Sequence, residues 1–248
     1  MSRALTPDRL AIRVISLAES DRRPRMAAQL DPLGLDWRFF DACTALPPVL
    51  SYSPERARIV RGRKLTKGEL GCFASHWSLW RWLMDSPAHD WLLVLEDDLL
   101  IDPVFFADLH RVVGALGSLP YLRLYAKVPF EMRREGSFLE RHIARFGGYA
   151  YGTQGYFINK QGADRFLRSI TRVERPIDDE MDRYWAHGVP IRAIFPFPII
   201  EVQYGSTIEN TRRDLEPLHG ADRARRLAIR ASEKLRRRLA KLTSRLHH

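Results

Sequence analysis

Cysteine is scarce in this sequence. The 248 residues contain only Cys43 and Cys72, and these two do not form the closely spaced pairs that are typical of zinc sites or redox motifs. Each lies beside small or apolar residues, which favours a reduced, packed thiol over a disulfide. The cysteine content therefore argues against a small secreted scaffold held together by disulfides.

Long apolar runs are also missing. No segment reaches the roughly 18 consecutive apolar residues that a membrane-spanning helix needs. The first ten residues include Arg3, Pro7, Asp8 and Arg9 and contain no apolar stretch of the signal-peptide type. We therefore predict a cytoplasmic protein.

Acidic residues are too few to balance the basic ones, since 30 Asp and Glu face 40 Lys and Arg. The excess is uneven along the chain. Residues 211–248 contain twelve Lys or Arg and four Asp or Glu, a net charge of +8, which leaves +2 for residues 1–210. A nearly neutral body with a basic end argues against a protein whose whole surface binds nucleic acid. We predict a catalytic domain over residues 1–210 and a basic tail over residues 211–248.

The body shows an alternation of strand-like and helix-like segments. Residues 11–17, 37–40 and 91–95 predict strands, and residues 22–33 predict a helix between the first two. Thr66 and Glu69 have the spacing of a capping box, which predicts a helix from there to about Ser86. Further helices are predicted near residues 103–116, 161–169 and 178–187, and further strands near residues 121–125, 155–159, 191–195 and 199–202. This alternation predicts an α/β sandwich with a parallel or mixed sheet.

One long stretch lacks these signals. Residues 47–64 are rich in Pro and Arg, and we predict a long loop there. Loops of this length usually carry function or are mobile.

Three acids follow the apolar strand predicted over residues 91–95. Ligands of open α/β folds bind beyond the carboxyl ends of the strands, which is where Glu96, Asp97 and Asp98 lie in the sequence. In extended backbone Glu96 and Asp98 project to one side and Asp97 to the other. Two such carboxylates suit a hard divalent cation that also contacts substrate phosphates. The alternative is a solvated acidic turn after a strand.

Several segments carry a more specific pattern when they are taken in order. They are IRVISLAESDRR from Ile12, FFDA from Phe39, LTKGELGCFASH from Leu65, LVLEDD from Leu93, GTQGYFINKQGA from Gly152 and PIDD from Pro176. In this combination the chain resembles glycosyltransferase family 25, which includes lipooligosaccharide galactosyltransferases and collagen galactosyltransferases. The resemblance covers most of residues 11–210.

The resemblance implies a fold, a cofactor and a reaction. The fold would be of the GT-A type, with a single Rossmann-like nucleotide-binding domain and a mixed sheet. The cofactor would be a divalent metal, Mn²⁺ being the first candidate. The reaction would transfer a hexose, galactose from UDP-galactose in the first instance, to a lipooligosaccharide or other glycan acceptor with inversion at the anomeric carbon.

The resemblance also implies roles for residues at matching positions. Asp98 looks like the metal-contacting member of the acidic motif, and Glu96 would lie near the metal, its water or the ribose. The remaining donor-side residues would be Asp97 in the same motif, Ile15, Ser16 and Leu17 beside the uridine, and Arg22 or Arg23 near the phosphates. Ser16 departs from the family pattern, in which asparagine is common at this position.

Inverting transfer also needs a base that removes the proton of the acceptor hydroxyl. Asp178 and Asp179, at the start of a predicted helix, are the candidates, although acids at a helix start also interact favourably with the helix dipole. His76 and Glu69 are further candidates. A buried structural histidine and a plain capping-box glutamate are the respective alternatives.

The basic tail alternates Arg and Lys with apolar residues. Between residues 223 and 246 the side chains of Leu227, Ile229, Leu235, Leu239 and Leu242 can share one side of a helix. A basic amphipathic helix favours an anionic membrane surface as partner, which would make the protein peripheral on the inner face of the cell membrane. A solvated tail is the alternative. A nucleic-acid partner is disfavoured because no aromatic side chains are interleaved for base stacking.

Other functions remain open on the residues alone. A metal-dependent nucleotidyltransferase or phosphohydrolase would also use acids beside nucleotide phosphates. A glycoside hydrolase would need two carboxylates but neither metal nor nucleotide. A non-enzymatic basic module that binds membrane or RNA would leave the acidic cluster in the body without a role.

Overall fold

The computed structural model describes residues 9–128, 131–202 and 218–245, with side chains described up to residue 242. The strands are β1 (Leu10–Ser16), β2 (Trp37–Asp41), β3 (Ser51–Tyr52), β4 (Trp91–Glu96), β5 (Leu99–Ile101), β6 (Tyr121–Arg123), β7 (Met132–Phe138), β8 (Arg141–Phe146), β9 (Gly155–Asn159), β10 (Arg172–Val173), β11 (Arg192–Phe195) and β12 (Ile199–Glu201). The helices are α1 (Arg23–Leu30), α2 (Pro54–Arg61), α3 (Lys67–Asp85), α4 (Pro103–Ala107), α5 (Leu109–Leu116), α6 (Lys160–Ser169), α7 (Ile177–Met181), α8 (Tyr184–His187) and α9 (Gly220–Arg245), with a 3₁₀ turn at Asp31–Leu33.

Eight strands form one mixed sheet in the order β2-β1-β4-β9-β6-β11-β8-β7. β1 lies between β2 and β4 and is parallel to both. β9 is antiparallel to its neighbours β4 and β6. The residues that precede β9 therefore lie at the same sheet edge as the residues that follow β4, and this edge collects the acidic motif.

The sheet is covered on both faces. Along β4 the buried side chains alternate, so that Leu92 and Val94 pack towards α3 and α6. Trp91, Leu93 and Leu95 pack on the other face, against α1, α4 and α5. A strand covered on both sides reads as a continuous apolar run, as residues 91–95 do. The α/β fold with a mixed sheet that the sequence predicts is confirmed.

The longest helix of the body begins as the sequence predicts. The side chain of Thr66 accepts a hydrogen bond from the Glu69 amide at 3.1 Å, and the Glu69 carboxylate accepts one from the Thr66 amide at 2.9 Å. This reciprocal cap starts α3 and satisfies two backbone donors that a helix start leaves free. Phe73, Trp80 and Leu83 then form its buried side.

The prediction of a long loop over residues 47–64 is wrong. The segment contains the short strand β3 and the eight-residue helix α2. Ser53 caps α2 by accepting a hydrogen bond from the Arg56 amide, and Pro54 occupies the first turn, where a proline costs no hydrogen bond. The Ser53-Pro54 pair is a helix start within a segment whose Pro and Arg content is otherwise typical of a loop.

Two further elements differ from expectation. The hairpin β7–β8 was not predicted, since its strands are only partly buried and rich in Arg. The helix predicted over residues 178–187 is interrupted between α7 and α8. The interruption lies at Asp182, whose side chain is fully buried beneath the sheet edge.

Asp182 and Arg123 form a buried ion pair that organises this edge. Arg123 Nη2 donates to Asp182 Oδ1 at 2.6 Å, and neither side chain is more than 1% exposed. Asp182 Oδ2 accepts from the amides of Ala150 and Tyr151, at 2.9 and 2.7 Å. Arg123 Nη1 donates to the carbonyls of Tyr151 and Gly152. Both charges thus hold the backbone of residues 150–152, which leads into β9.

Replacing Asp182 by Asn should destabilise the fold by about 3–5 kcal/mol, because the Arg123 charge would stay buried without its counter-charge. The midpoint of urea unfolding measures the effect. The matched control is Asp85→Asn, which breaks the Arg81–Asp85 pair, whose side chains are both 61% exposed. That control should cost no more than about 0.5 kcal/mol. Equal shifts in the two variants would contradict the assigned role of Asp182.

The basic tail contains the helix α9, as predicted, and α9 contacts α2 and α8. The boundary predicted between residues 210 and 211 lies outside the described residues. Within the described ranges, no helix combines the length and apolar character that crossing a bilayer requires.

Candidate active site

Asp97 is held inside the sheet edge. Its Oδ2 accepts hydrogen bonds from the hydroxyls of Ser16 at 2.6 Å and Ser20 at 2.9 Å. Its Oδ1 lies 3.2 Å from Arg22 Nη1. Asp97 therefore ties the end of β4 to the end of β1 and the turn that follows. These contacts occupy both of its oxygens and leave the adjacent acids to face a ligand.

Glu96 is held from the opposite side. Its Oε1 accepts a short hydrogen bond from the Thr153 hydroxyl and lies 3.5 Å from His76 Nε2. Burial alone would raise the pKa of Glu96, but His76 and Thr153 lower it below the ordinary value of a glutamate. Glu96 is therefore a fixed carboxylate that keeps its charge.

His76 is completely buried, and a chain of aromatic side chains orients it. Trp80 Nε1 donates to the Tyr156 hydroxyl oxygen at 2.9 Å, and that oxygen lies 2.8 Å from His76 Nδ1. Since Trp80 only donates, the tyrosine hydrogen is available to His76 Nδ1. His76 Nε2 lies 3.5 Å from Glu96 Oε1 and makes no hydrogen bond within the described residues. His76 thus borders Glu96 from within the core.

Asp98 differs from both neighbours because its Oδ1 is buried and has no hydrogen-bond partner among the described residues. Burial, together with the charges of Glu96 and Glu201, raises the pKa of Asp98 to about 7. Arg22 Nη1 lies 3.9 Å from Asp98 Oδ2. A buried carboxylate among like charges is stabilised by a bound cation.

Glu201 is a site residue that the sequence analysis did not identify. It lies at the end of β12, which pairs with β5 so that Glu201 is opposite Leu99. The Val202 amide donates to the Asp98 carbonyl at 2.7 Å. This pairing brings Glu201 close to Asp98, although the two are far apart in sequence. The only signal was an acid within the strand predicted over residues 199–202.

The predicted nucleotide-side residues line the same edge with different exposure. Ile15 and Ser16 are buried, whereas Leu17 is 57% exposed. Arg23 donates to the Ser16 carbonyl at 3.0 Å and pairs with Asp41 at the end of β2. Arg22 faces the acidic motif through Asp97. Of the five residues, Ser16 and Arg22 contact Asp97, and Ile15 is in register with Glu96.

A second acidic group borders a cleft of about 230 Å³. Asp178 lines this cleft with Arg61, Lys127 and Tyr151. Asp178 Oδ1 accepts from the Asp179 amide at 2.9 Å, and its Oδ2 accepts from the Gly152 amide at 3.4 Å.

Asp179 points into the protein instead. It is 4% exposed, and its Oδ2 lies 3.2 Å from Arg61 Nε. Burial and the charge of Asp178 raise the pKa of Asp179 to about 7. Of the two predicted bases, Asp178 is the one that lines the cleft, and Asp179 pairs with Arg61, which lines the same cleft.

Glu69 also borders the cleft, but its carboxylate is engaged. Arg63 Nη1 and Nη2 donate to its two oxygens at 2.7 and 2.6 Å, and both side chains are buried. The Thr66 amide adds a third donor. A glutamate held by three donors is a poor proton acceptor, so its contacts indicate a structural role.

The segment of residues 152–154 joins the two acidic groups. Gly152 donates its amide to Asp178, and Thr153 donates its hydroxyl to Glu96. The Gln154 carbonyl accepts from the Glu96 amide at 2.8 Å. Gly152 has φ of +82°, a conformation in which a side chain is strained. This segment, which leads into β9, is a shared wall between the acidic motif and the cleft.

A softer set of ligand atoms lies behind the motif. The ligand atoms of Cys72, His76 and Glu96 are all within 4.8 Å of one another. Thiolate and imidazole suit zinc, whereas the carboxylates of Glu96, Asp98 and Glu201 suit harder ions such as Mn²⁺ or Mg²⁺. Asp98 interacts through its charge with Glu96 and Glu201 and keeps a buried oxygen without a partner in the described part of the chain, which fits a hard divalent cation.

Comparison with known proteins agrees with the resemblance in the sequence. Residues 10–181 match the model of Glycosyltransferase family 25 (LPS biosynthesis protein). A glycosyltransferase 25 family member of Aedes aegypti is 29% identical over 188 residues, which are 69% of this chain and 30% of that protein. Procollagen galactosyltransferase 1 of Danio rerio is 31% identical over 165 residues, 62% of this chain and 27% of that protein. The chain spans less than a third of the length of these relatives.

Among solved structures, a complex of Drosophila beta-1,4-galactosyltransferase 7 with manganese, UDP-Gal and xylobiose aligns over 88% of this chain and 79% of its own. The identity is 11% and the TM-score 0.38. The family is therefore established by the sequence match over residues 10–181, which includes β1, the acidic motif and Asp178. On this match the chain belongs to glycosyltransferase family 25.

Proposed function

We propose that this protein is an inverting, metal-dependent glycosyltransferase that transfers a hexose to a glycan acceptor. Galactose from UDP-galactose is the first candidate donor, because a relative is named as a procollagen galactosyltransferase. A lipooligosaccharide is the first candidate acceptor, because the family description names LPS biosynthesis. The observation that carries the proposal is the unpartnered, buried oxygen of Asp98 among three carboxylates at the carboxyl end of β4.

The proposed cation would be held by Asp98 and Glu96, with Glu201 as a further oxygen donor. When bound, the cation would neutralise negative charge on the departing diphosphate. Arg22, beside Asp97 and Asp98, is positioned for the same phosphates. Ile15, Ser16 and Leu17, at the end of β1, would lie along the nucleoside.

Asp178 is the proposed base. In the reaction, the acceptor oxygen forms a bond to the anomeric carbon while the bond from that carbon to the diphosphate oxygen breaks. The hydroxyl proton passes to the Asp178 carboxylate, and the electron pair leaves with the nucleoside diphosphate. The position of Asp178 in the cleft, across residues 152–154 from Glu96, is consistent with attack from the face opposite the leaving group.

A nucleotide-sugar panel tests the proposed function. Thermal unfolding of the full chain is measured with UDP-, GDP- and CMP-sugars, each with and without Mn²⁺, and products are then identified by mass. We expect a UDP-hexose to stabilise the chain only with Mn²⁺, by about 2.7 kcal/mol at 100 times its Kd. Free hexose, or hexose on an added glycan, should follow. Release of pyrophosphate from a nucleoside triphosphate would instead indicate a nucleotidyltransferase, and no UDP uptake with Mn²⁺ would refute the proposal.

Metal affinity should depend on pH through Asp98. A cation must displace the proton of a carboxyl group whose pKa is about 7. Mn²⁺ affinity should therefore rise by up to about tenfold per pH unit below pH ~7 and level off above it. Calorimetric titration from about pH 5.5 to about pH 8, in buffers of different ionisation enthalpy, measures both the affinity and the released proton.

The raised pKa of Asp98 also determines how the stability of the metal-free protein changes with pH. The Asp98 pKa is raised from 3.8 to about 7 in the folded state. Its contribution to stability is therefore complete below pH ~4 and is lost as the pH rises to ~7. Asp98→Asn, which is uncharged at every pH, should remove this pH dependence of stability and the pH dependence of binding. An Mn²⁺ affinity that is constant across this range would contradict the assignment.

A further inference from the structure

Helix α9 has two sides of unlike character. One side is half-buried against the body, at intervals of three or four residues. The half-buried residues are Asp222, Arg226, Ile229, Glu233, Arg237, Ala240 and Lys241. Most of these residues are charged, so α9 docks mainly through polar contacts.

Glu233 is the centre of the docked side. Its carboxylate accepts from Arg183 Nη2 at 2.6 Å and from Trp185 Nε1 at 3.0 Å, and it lies 3.5 Å from Arg175. These donors hold the pKa of Glu233 below its ordinary value despite the burial that would raise it. Arg237 also lies over the ring of Trp185.

The first turns of α9 are fixed to α2. Asp222 lies 3.3 Å from Arg58, and Arg226 donates to the Arg61 carbonyl at 3.3 Å. Gly62 ends α2 with φ of +99°, and an added Cβ there would lie 2.6 Å from the Arg226 guanidinium. The orientation of α9 about its axis is therefore set by contacts along its length.

The outward side of α9 carries the large apolar residues. Leu227, Leu235, Leu239 and Leu242 are 60%, 58%, 53% and 57% exposed. Ile229, which the sequence analysis grouped with them, lies on the docked side instead. In an ordinary surface helix the apolar stripe faces the core, so the arrangement of α9 is reversed.

Charge is also sorted between the two sides. The two acids of α9, Asp222 and Glu233, both lie on the docked side and pair with arginines of the body. The exposed cations are Arg223, Arg225, Arg230, Lys234, Arg236 and Arg238. The outward side of the described helix thus combines a leucine stripe with positive charge and no acid.

We propose that the outward side of α9 binds the surface of an anionic lipid bilayer. The leucines would enter the boundary between headgroups and acyl chains, and the flanking cations would contact anionic headgroups. A second copy of the chain fits less well, because its α9 presents the same positive charge. RNA fits less well because α9 contains no Phe, Tyr or Trp for base stacking and would leave the leucines uncovered.

Co-sedimentation of the full chain with vesicles tests this proposal. Vesicles of phosphatidylglycerol and phosphatidylcholine are compared with vesicles of phosphatidylcholine alone. The apolar variant carries Leu227→Ser, Leu235→Ser, Leu239→Ser and Leu242→Ser. Its partition to the anionic vesicles should fall by at least about tenfold, since each leucine loses transfer free energy. All four positions are exposed, so the variant should unfold at the same temperature as the wild type.

Two further variants sharpen the test. The matched control carries Val49→Ser and Val104→Ser, two valines that are 67% and 78% exposed away from α9, and it should partition like the wild type. The charge variant carries Arg230→Gln, Lys234→Gln and Arg238→Gln, and it should lose the preference for anionic vesicles. Added salt should weaken wild-type binding in the same way.

Several outcomes would overturn the proposal. They are equal partition of the apolar variant and the wild type, equal binding of the wild type to neutral vesicles, and binding of RNA in place of vesicles. A dimer that dissociates in the apolar variant, with no vesicle binding, would assign the stripe to a second copy. Vesicle binding does not depend on turnover, so Asp98→Asn should partition like the wild type whether or not the proposed function is correct.

Discussion

Asp98→Asn should lower the rate of hexose transfer by about 10³-fold or more, while the protein remains folded. Loss of a metal-held carboxylate removes several kcal/mol of stabilisation from the leaving diphosphate, and about 4 kcal/mol corresponds to about 10³-fold. Asparagine keeps the shape of the side chain but cannot carry the negative charge. Initial rates of UDP release with Mn²⁺, together with Mn²⁺ titration calorimetry, measure the two losses.

The stability of this variant separates a catalytic defect from a folding defect. The Asp98 charge is disfavoured in the metal-free fold, as its pKa of about 7 indicates. The metal-free variant should therefore be at least as stable as the wild type at neutral pH. Asp36→Asn is the matched control, because Asp36 has an 89% exposed side chain outside the site. Wild-type rates in Asp98→Asn would refute the metal site.

Asp178→Asn should lower turnover by about 10²–10⁴-fold, the usual contribution of a general base. The asparagine oxygen can still accept one of the two backbone hydrogen bonds that Asp178 receives, from the Asp179 amide at 2.9 Å or from the Gly152 amide at 3.4 Å. The Kd of UDP with Mn²⁺ should remain within about twofold of the wild type, because Asp178 lies on the acceptor side. Single-turnover transfer to a glycan acceptor, measured beside UDP binding, distinguishes the two effects.

Asp179→Asn is the matched comparison for this base assignment. Asp179 is the adjacent acid, but its side chain is buried against Arg61. Its replacement should affect stability and the placement of Arg61 more than the chemical step. A loss of turnover in Asp179→Asn with normal rates in Asp178→Asn would reverse the assignment. Normal turnover in both variants would show that neither Asp178 nor Asp179 is the base.

The parts of the fold that follow from local rules could be predicted from sequence. β4 is a continuous apolar run, and the capping-box spacing of Thr66 and Glu69 predicts where α3 begins. The interruption between α7 and α8 could not be read in this way. It depends on Asp182 meeting Arg123, a residue 59 positions away along the chain. Local sequence does not record such a contact. The pattern of residues 178–187 alone therefore predicts one continuous helix.

The residues of the candidate site also fall into those that local sequence predicts and those that depend on contacts between distant segments. Glu96 and Asp98 follow directly from a strand end, and the family resemblance gave them their roles. Glu201 could not be predicted, because its closeness to Asp98 arises from the pairing of β12 with β5. The ion pair between Arg63 and Glu69 also could not be predicted. The capping box accounts only for the hydrogen bond from the Thr66 amide to the Glu69 carboxylate, and Arg63 supplies the others.

The shared wall at residues 152–154 has a consequence for engineering this protein. One short peptide contacts Glu96 through Thr153 and Asp178 through Gly152. In the proposed reaction, water and the acceptor would compete for the same anomeric carbon beside this wall. Substitutions at Gly152 or Gln154 should then alter the ratio of donor hydrolysis to transfer, whereas substitutions at Thr153 should also change the affinity for manganese, because Thr153 contacts Glu96. Libraries aimed at new acceptors are therefore best begun at these three positions.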